Sequence, residues 1–242
     1  MAASSHGPGR LGLVGLASKV IVTPRTFTRL ALANFAATFL IIVTGAAVRL
    51  TGSGLGCPDW PNCHGTQFVA QLQLHPAIED ANRLVTGLLV VLTVVTLLAA
   101  LARRPRRTDL SWLSAALVGG IVADALLGAE VVYTKLNPWL VSGHMALSLS
   151  TVVLAGVLFH RSRHRYGATA RHELRCPWTV PLARWLWVLL VATLLAGMAT
   201  TGSGPHSGGS QGQLVAKRLP FTLHDAAWVH SVCAVAFVAL VG

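Results

Sequence analysis

Residues 28–54 read TRLALANFAATFLIIVTGAAVRLTGSG, an apolar run that ends in a glycine-rich turn. A run of about 20 apolar residues is long enough for one helix to cross the hydrocarbon layer of a membrane. The same T-G-S-G sequence returns at residues 201–204, where it again ends a long apolar run. This repeated pairing of span and turn predicts an internal repeat, a common feature of membrane folds that places functional sites near the repeat interface.

The composition of the whole chain favours a membrane protein. Of its 242 residues, 53% are hydrophobic and 11% are charged, whereas about a quarter of the residues are charged in average globular proteins. The apolar runs lack the period-two alternation of barrel strands, so we expect helices. The sequence predicts an all-α polytopic membrane protein with spans at roughly 28–48, 82–102, 112–133, 139–160, 182–201 and 225–242.

Basic residues are concentrated in three segments. They lie in the N-terminal tail, in RRPRR at 103–107 and in RSRHRYGATARHELR at 161–175, whereas the alternate loops carry few. Because excess Lys and Arg mark cytoplasmic loops, we expect a multi-pass protein of the cell membrane, with both termini cytoplasmic and residues 1–27 as a cytoplasmic tail. The net charge of +11 is therefore attributed to membrane topology and not to nucleic-acid binding.

The repeat also predicts how the chain is divided. Aligning the two T-G-S-G turns matches the first span to the fifth and the second to the sixth, and it places Asn82 opposite His230. Residues 28–161 then form a four-helix bundle, 162–181 a basic cytoplasmic loop, and 182–242 the first two helices of an incomplete second four-helix repeat. We expect a fold of eight spans, of which six are present, in a chain truncated after its sixth transmembrane helix.

Two cysteines stand close together in the first outward loop. Cys57 and Cys63 are separated by PDWPN, and such a pair in an oxidising compartment is well placed for a disulfide. A metal site is the alternative, although Cys63 and His64 lack a second close pair of ligands. The spacing is not the C-x-x-C-H of covalent heme attachment.

Two histidines lie just inside the outer ends of predicted spans. His144 begins the fourth span and His230 the sixth, and an imidazole at that depth is costly unless it is paired or bound. His144, Ser148 and Thr151 share one helix face, which predicts a polar stripe that faces protein. A histidine presented in this way can bind heme iron inside a helical bundle. The alternative is an imidazole satisfied by a carbonyl group or by water.

The second span carries a similar polar stripe. It consists of Glu79, Asn82 and Thr86, with Arg83 one turn after Glu79. A carboxyl group at the water boundary beside a heme site is suited to proton transfer. The alternative is a surface ion pair between Glu79 and Arg83.

Two further carboxyl groups lie in the third span. Asp124 is deep in the span, one turn before Gly128, so we expect it to face protein in a structural role, protonated or hydrogen-bonded. Glu130 is nearer the outer surface, and its role is open. A small transporter that uses Asp124 and Glu130 for protons is one further interpretation, but it leaves the cysteine loop and the outer histidines unexplained.

Four sequence motifs of this chain are similar to those of a known family. They are R-L-T-G-S-G-L-G-C-P-D-W-P-N-C-H-G at 49–65, E-x-x-N-R at 79–83, N-P-W-L-V-S-G-H at 137–144 and T-G-S-G-P-H-S-G at 201–208. In these motifs the chain resembles the heme A synthase family of the CtaA type. The resemblance implies an eight-helix protein of two four-helix halves. It also implies an oxidoreductase that converts the C8 methyl of heme O to a formyl group for the heme a of terminal oxidases, with a heme b as electron relay.

The resemblance assigns roles to particular residues. Glu79 is the family's essential carboxylate, near the substrate heme in the N-terminal half, and His144 is an axial ligand of that heme. His230 is an axial ligand of the heme b in the C-terminal half, and Cys57 and Cys63 match the family's outward cysteine pair. The resemblance further implies heme O and membrane lipid as partners, together with heme O synthase, cytochrome oxidase assembly factors and a homo-oligomer.

The chain departs from the family pattern at two points. The family's usual motif is E-x-x-H, whereas Asn82 occupies the histidine position here, and an amide is a poor ligand to heme iron. The substrate site is then five-coordinate, or His75, one turn before Glu79, substitutes. The helix expected to carry the partner of His230 lies beyond residue 242, so a heme-binding or heme-handling membrane protein without turnover is the alternative function.

Overall fold

The described part of the chain is helical. A computed structural model describes residues 21–66, 73–164, 178–205, 208–209 and 217–241. Residues 1–20 of the expected cytoplasmic tail and 165–177 of the expected basic loop lie outside these ranges. Within the ranges the helices are α1 (Pro24–Leu50), α2 (Leu74–Ala102), α3 (Thr108–Tyr133), α4 (Pro138–Arg163), α5 (Thr179–Ser203) and α6 (Leu223–Val241).

All six of these helices are long and apolar enough to cross a membrane, with mean hydropathy between 1.5 and 2.7 in their most apolar windows. The prediction of an all-α, multi-pass membrane protein is confirmed. One boundary differs clearly, because α2 begins at Leu74 and not near residue 82. Glu79 and Arg83 lie one turn apart and pair with each other. This pair stabilises additional helical turns on the N-terminal side of the apolar run.

Helices α1–α4 form a four-helix bundle, in which α1 packs against α2 and α4, and α3 packs against the same two helices. Helices α5 and α6 pack together and meet the bundle through α4. The main apolar core lies toward the end of the bundle that carries residues 103–107, which we call the arginine end. Phe27 of α1, Leu110 and Leu117 of α3, and Leu158 of α4 are fully buried there.

The two T-G-S-G copies differ in structure. After α1, the amide of Ser53 bonds back to the carbonyl of Val48 while Gly52, with a φ of 69°, ends the helix. This is a Schellman cap, whose left-handed residue favours glycine. Helix α5 instead continues through Ser203, so the second copy lies in its last turn. The two turns therefore differ in geometry, because Gly52 leaves α1 with a left-handed φ of 69°, whereas α5 ends at Gly204 with a φ of −79°.

The two copies nevertheless lie side by side. The amide of Gly54 donates a 2.8 Å hydrogen bond to the carbonyl of Gly208, and the guanidinium of Arg49 donates one of 2.7 Å to the carbonyl of Thr201. These bonds join the end of α1 to the end of α5.

A buried polar cluster joins α1 to α2 within the core. Asn34 of α1 is fully buried; its amide nitrogen donates to the Thr96 hydroxyl at 2.5 Å and its oxygen accepts from Thr93 at 2.9 Å. A polar group left unpaired in an apolar interior costs about 1–3 kcal/mol. The cluster therefore fixes how α1 sits along α2.

We expect Asn34→Ala to lower the free energy of unfolding by about 1–3 kcal/mol, because Thr93 loses its acceptor and Thr96 its donor on α1. Thermal unfolding of the detergent-solubilised protein, followed by circular dichroism, measures the change. Leu40→Ala, at a side chain of the same helix that is 51% exposed, is the control and should unfold close to wild type. Equal stability of the two variants would contradict a stabilising role for the cluster.

Candidate functional site at the disulfide end

The loop after α1 is closed by a disulfide between Cys57 and Cys63, whose Cα atoms are 4.3 Å apart. Both cysteines are buried, with 0% and 1% of their surface exposed. Of the two alternatives for this pair, the structure contains the disulfide. We call the end of the bundle that carries this loop the disulfide end.

Glu79 and Arg83 hold this loop against α2. Glu79 accepts a 2.9 Å hydrogen bond from the amide of Cys57 and one of 2.6 Å from Arg83. Arg83 also donates to the backbone carbonyls of Cys57, Asp59 and Asn62 at 2.8–3.1 Å. The two charged side chains are only 7% and 17% exposed. The ion pair considered from the sequence is thus present, but it is buried under the loop and not on the surface.

His75 and Asn82 lie on either side of Glu79 along α2. The Nδ1 of His75 is 3.0 Å from the hydroxyl of Ser53, so the T-G-S-G turn after α1 holds the imidazole. The side-chain oxygen of Asn82 accepts a 2.7 Å bond from Thr44 of α1. Ligation of a metal by that oxygen would compete with this bond. In contrast, no hydrogen bond among the described residues engages Nε2 of His75.

His144 is paired with an acidic residue of α3. Its Nδ1 lies 2.9 Å from Oδ1 of Asp124, at ion-pair distance but without the alignment of a hydrogen bond. The other carboxyl oxygen accepts a 2.5 Å bond from Ser148. Nδ1 is buried although 38% of the His144 side chain is exposed, so the exposed part of the ring lies away from Asp124. The expected polar stripe does face protein, since Ser148 and Thr151 are buried.

The pairing of Asp124 with His144 was not predicted from the sequence, which indicated only a structural role for Asp124. The available signal was the short turn at 134–137, which folds α4 back along α3 and brings residues on either side of it face to face. Glu130, in contrast, is exposed. The two carboxyl groups of the transporter interpretation therefore lie in different environments, and only one of them belongs to this site.

His230 of α6 is held by α5 in a similar way. Its Nδ1 lies 3.0 Å from the backbone carbonyl of Thr193. A Cβ at Gly197 would lie 3.1 Å from Cε1 of His230, just as a Cβ at Gly128 would lie 3.3 Å from Cε1 of His144. Each imidazole therefore lies close against a neighbouring helix at a glycine.

These two imidazoles suit the role of axial ligand to heme iron. A metal-binding histidine uses one ring nitrogen for the metal while a neighbouring group fixes the other. Nδ1 of His144 and of His230 has such a neighbour, and no hydrogen bond from a described residue reaches either Nε2. The described ranges hold no cluster of three or more His, Cys, Asp or Glu side chains that could bind a metal ion. A single imidazole is a sufficient protein ligand for heme iron, because the porphyrin supplies the four other nitrogen ligands.

The fold and this site define a class of protein: a multi-pass helical membrane protein with a disulfide loop over a histidine-bearing four-helix bundle. The family described as cytochrome oxidase assembly protein, COX15-CtaA, matches the chain at residues 28–79 and 69–204. The chain belongs to this family.

Several relatives of the chain are named heme A synthase. The protein of Staphylococcus saprophyticus is 29% identical, over 61% of this chain and 49% of its own length. That of Geobacillus kaustophilus is 30% identical over 44% and 33%, and that of Staphylococcus aureus strain RF122 is 26% identical over 75% and 58%. The chain thus spans between a third and three-fifths of the length of these relatives. No solved structure matches the chain.

We expect Arg83→Ala to release the disulfide loop, because Arg83 donates to three of its carbonyl groups. Hydrogen bonds from a charged donor contribute about 1.5–3 kcal/mol each, so the buried disulfide should be reduced about tenfold faster or more in the folded protein. Alkylation of the thiols released by a phosphine reductant, followed by mass spectrometry over time, measures the rate. Arg106→Ala, an exposed arginine of the arginine end, is the control; equal rates in both variants would contradict this role of Arg83.

Proposed function

We propose that this chain carries out the heme A synthase reaction, in which the C8 methyl of heme O is oxidised to a formyl group. The observation that carries the proposal is His144, whose Nδ1 is paired with Asp124 while no described residue bonds to its Nε2. Two findings support it further: relatives bear the name heme A synthase, and the family match covers both Glu79 and His144. The protein is then a heme-dependent oxidoreductase.

The proposed reaction sets two requirements. In net balance, the methyl group and one water give the formyl group, four protons and four electrons. The chain must therefore accept protons near the substrate and pass the four electrons to an oxidant outside the chain. We assign His144 to the iron of heme O, where it would orient the substrate, and His230 to the iron of a heme b, which it would hold in the C-terminal half. When bound, heme b supplies a one-electron relay.

We assign proton transfer to Glu79. Its side chain is 7% exposed, and its carboxyl group receives hydrogen bonds from the Cys57 amide and from Arg83. The disulfide loop thus sets the orientation of the carboxyl group. For the second side of the substrate iron, His75 is favoured over Asn82, because the Asn82 oxygen is engaged by Thr44 while Nε2 of His75 is not engaged by a described residue.

The proposed setting is the cell membrane, with the arginine end and the N-terminus in the cytoplasm, because basic loops favour that side. Residues 28–161 hold the substrate heme, 162–181 form the basic connection, and 182–242 contribute part of the heme b half. Membrane lipid, heme O synthase, cytochrome oxidase assembly factors and a second copy of the chain are the proposed partners besides heme O.

For Glu79→Gln we expect heme to remain bound while conversion of heme O falls by about a hundredfold or more, the contribution typical of a general acid–base group. Hemes extracted from cells that make heme O and express the full chain, separated by chromatography, give the product yield. Glu130→Gln removes a carboxylate from an exposed position and should leave the yield unchanged. An unchanged yield in Glu79→Gln would remove Glu79 from the mechanism.

For His144→Ala we expect loss of the substrate heme from the purified chain, seen as a lower heme-to-protein ratio and a changed absorption spectrum. His224→Ala is the control, since the His224 side chain is 89% exposed. Retention of the wild-type spectrum in His144→Ala would refute ligation by His144. Heme bound without any product would favour a heme-binding protein without turnover, and a wild-type chain that stays colourless with heme supplied would overturn both functions.

A further inference from the structure

The two candidate axial histidines differ in the group that faces Nδ1. His144 faces a carboxyl oxygen of Asp124 at 2.9 Å, whereas His230 faces the backbone carbonyl of Thr193 at 3.0 Å. Apart from this partner the two sites are alike: each histidine lies in the second turn of its helix and packs against a glycine of the preceding helix.

A carboxylate and a carbonyl act differently on an imidazole. A carboxylate carries a full negative charge, which acts on a neighbouring N–H group even without hydrogen-bond alignment, whereas a carbonyl oxygen carries only a partial charge. The charge of the carboxylate attracts the Nδ1 proton, which gives the ring imidazolate character and raises the basicity of Nε2. A more basic axial ligand stabilises ferric over ferrous iron, and this lowers the reduction potential of the iron.

The surroundings of Asp124 favour this action. Its side chain is 13% exposed, so water screens the carboxyl group little. Ser148 donates to one oxygen at 2.5 Å and thereby fixes the plane of the carboxyl group. The other oxygen is buried and has no hydrogen-bond partner among the described residues, and Nδ1 of His144 lies 2.9 Å from it, at ion-pair distance.

We propose that Asp124 is a positioning residue for His144, which fixes the orientation of the imidazole and raises its donor strength. Iron bound at His144 then has a lower reduction potential than iron bound at His230. The two sites of the proposed enzyme differ in this way although each is built on one histidine and one glycine. The inference rests on the proposed binding of heme by His144 and His230.

A purely structural role of Asp124, as a tie between α3 and α4 through Ser148, predicts a different outcome. Asp124→Asn keeps the shape and can still accept from Ser148, but it removes the charge that faces Nδ1. A structural tie would leave the reduction potential of a bound heme unchanged. If Asp124 instead positions His144 and raises its donor strength, Asp124→Asn should raise the reduction potential.

The test uses the full chain in detergent, reconstituted with iron protoporphyrin IX, in a background that carries both His75→Ala and His230→Ala, so that His144 is the remaining histidine proposed as a ligand. Spectroelectrochemical titration gives the midpoint potential, and absorption titration gives the heme dissociation constant. We expect Asp124→Asn to raise the potential and Asp124→Ala to weaken heme binding by about 10- to 100-fold. Glu130→Gln removes the same charge from an exposed position of the same helix and should change neither quantity.

A second measurement leaves Asp124 intact and does not depend on the stability of its variants. In the His75→Ala background, the iron–histidine stretching frequency of ferrous heme is compared between the His230→Ala and the His144→Ala proteins by resonance Raman spectroscopy. A stronger acceptor at Nδ1 raises this frequency, so the protein that retains His144 should show the higher value.

The outcomes distinguish a failure of the proposed role of Asp124 from a failure of the proposed heme sites. If heme binds in the His230→Ala protein, but Asp124→Asn leaves the potential unchanged or the two stretching frequencies agree, the role of Asp124 is overturned and the proposed function stands. If heme binds neither to the His230→Ala protein nor to the His144→Ala protein, the proposed heme sites are overturned, and the role of Asp124 with them.

Discussion

The structure depends on one constraint: a polar group between apolar helices must find its partner within the protein. Lipid tails offer no hydrogen bonds, so an unpaired group inside the bundle costs several kcal/mol. The backbone meets the constraint by forming helices. The side chains meet it in pairs across helices or loops, such as Asn34 with Thr93, Glu79 with the disulfide loop, and Asp124 with Ser148.

The polar pairs at the two ends of the bundle have different roles. Toward the arginine end, the Asn34 cluster lies within the main apolar core and determines how α1 packs on α2. At the disulfide end, some polar groups retain an atom without a hydrogen bond from a described residue, such as Nε2 of His144. A rigid apolar half of a bundle can position side chains in the other half whose remaining nitrogen is available to a ligand.

Part of the candidate site could be predicted from residue types and spacing. The cost of placing His144 and His230 inside apolar spans indicated bound or paired imidazoles, and both are held by a neighbouring helix. The spacing of Glu79 and Arg83 indicated an ion pair. Their burial could not be predicted, because it results from the fold of a loop with no helical or strand periodicity.

The sequence by itself determined the class of fold, since six apolar segments of spanning length can only satisfy their backbones as helices in a membrane. It also determined where the chemically active side chains fall along each helix. Only the tertiary structure decided which side chains meet: Asp124 with His144 across the α3–α4 turn, and Arg83 with the carbonyls of the disulfide loop. The physical reason is that helical periodicity fixes the face a residue occupies, whereas its partner depends on how far one helix slides and rotates against the next.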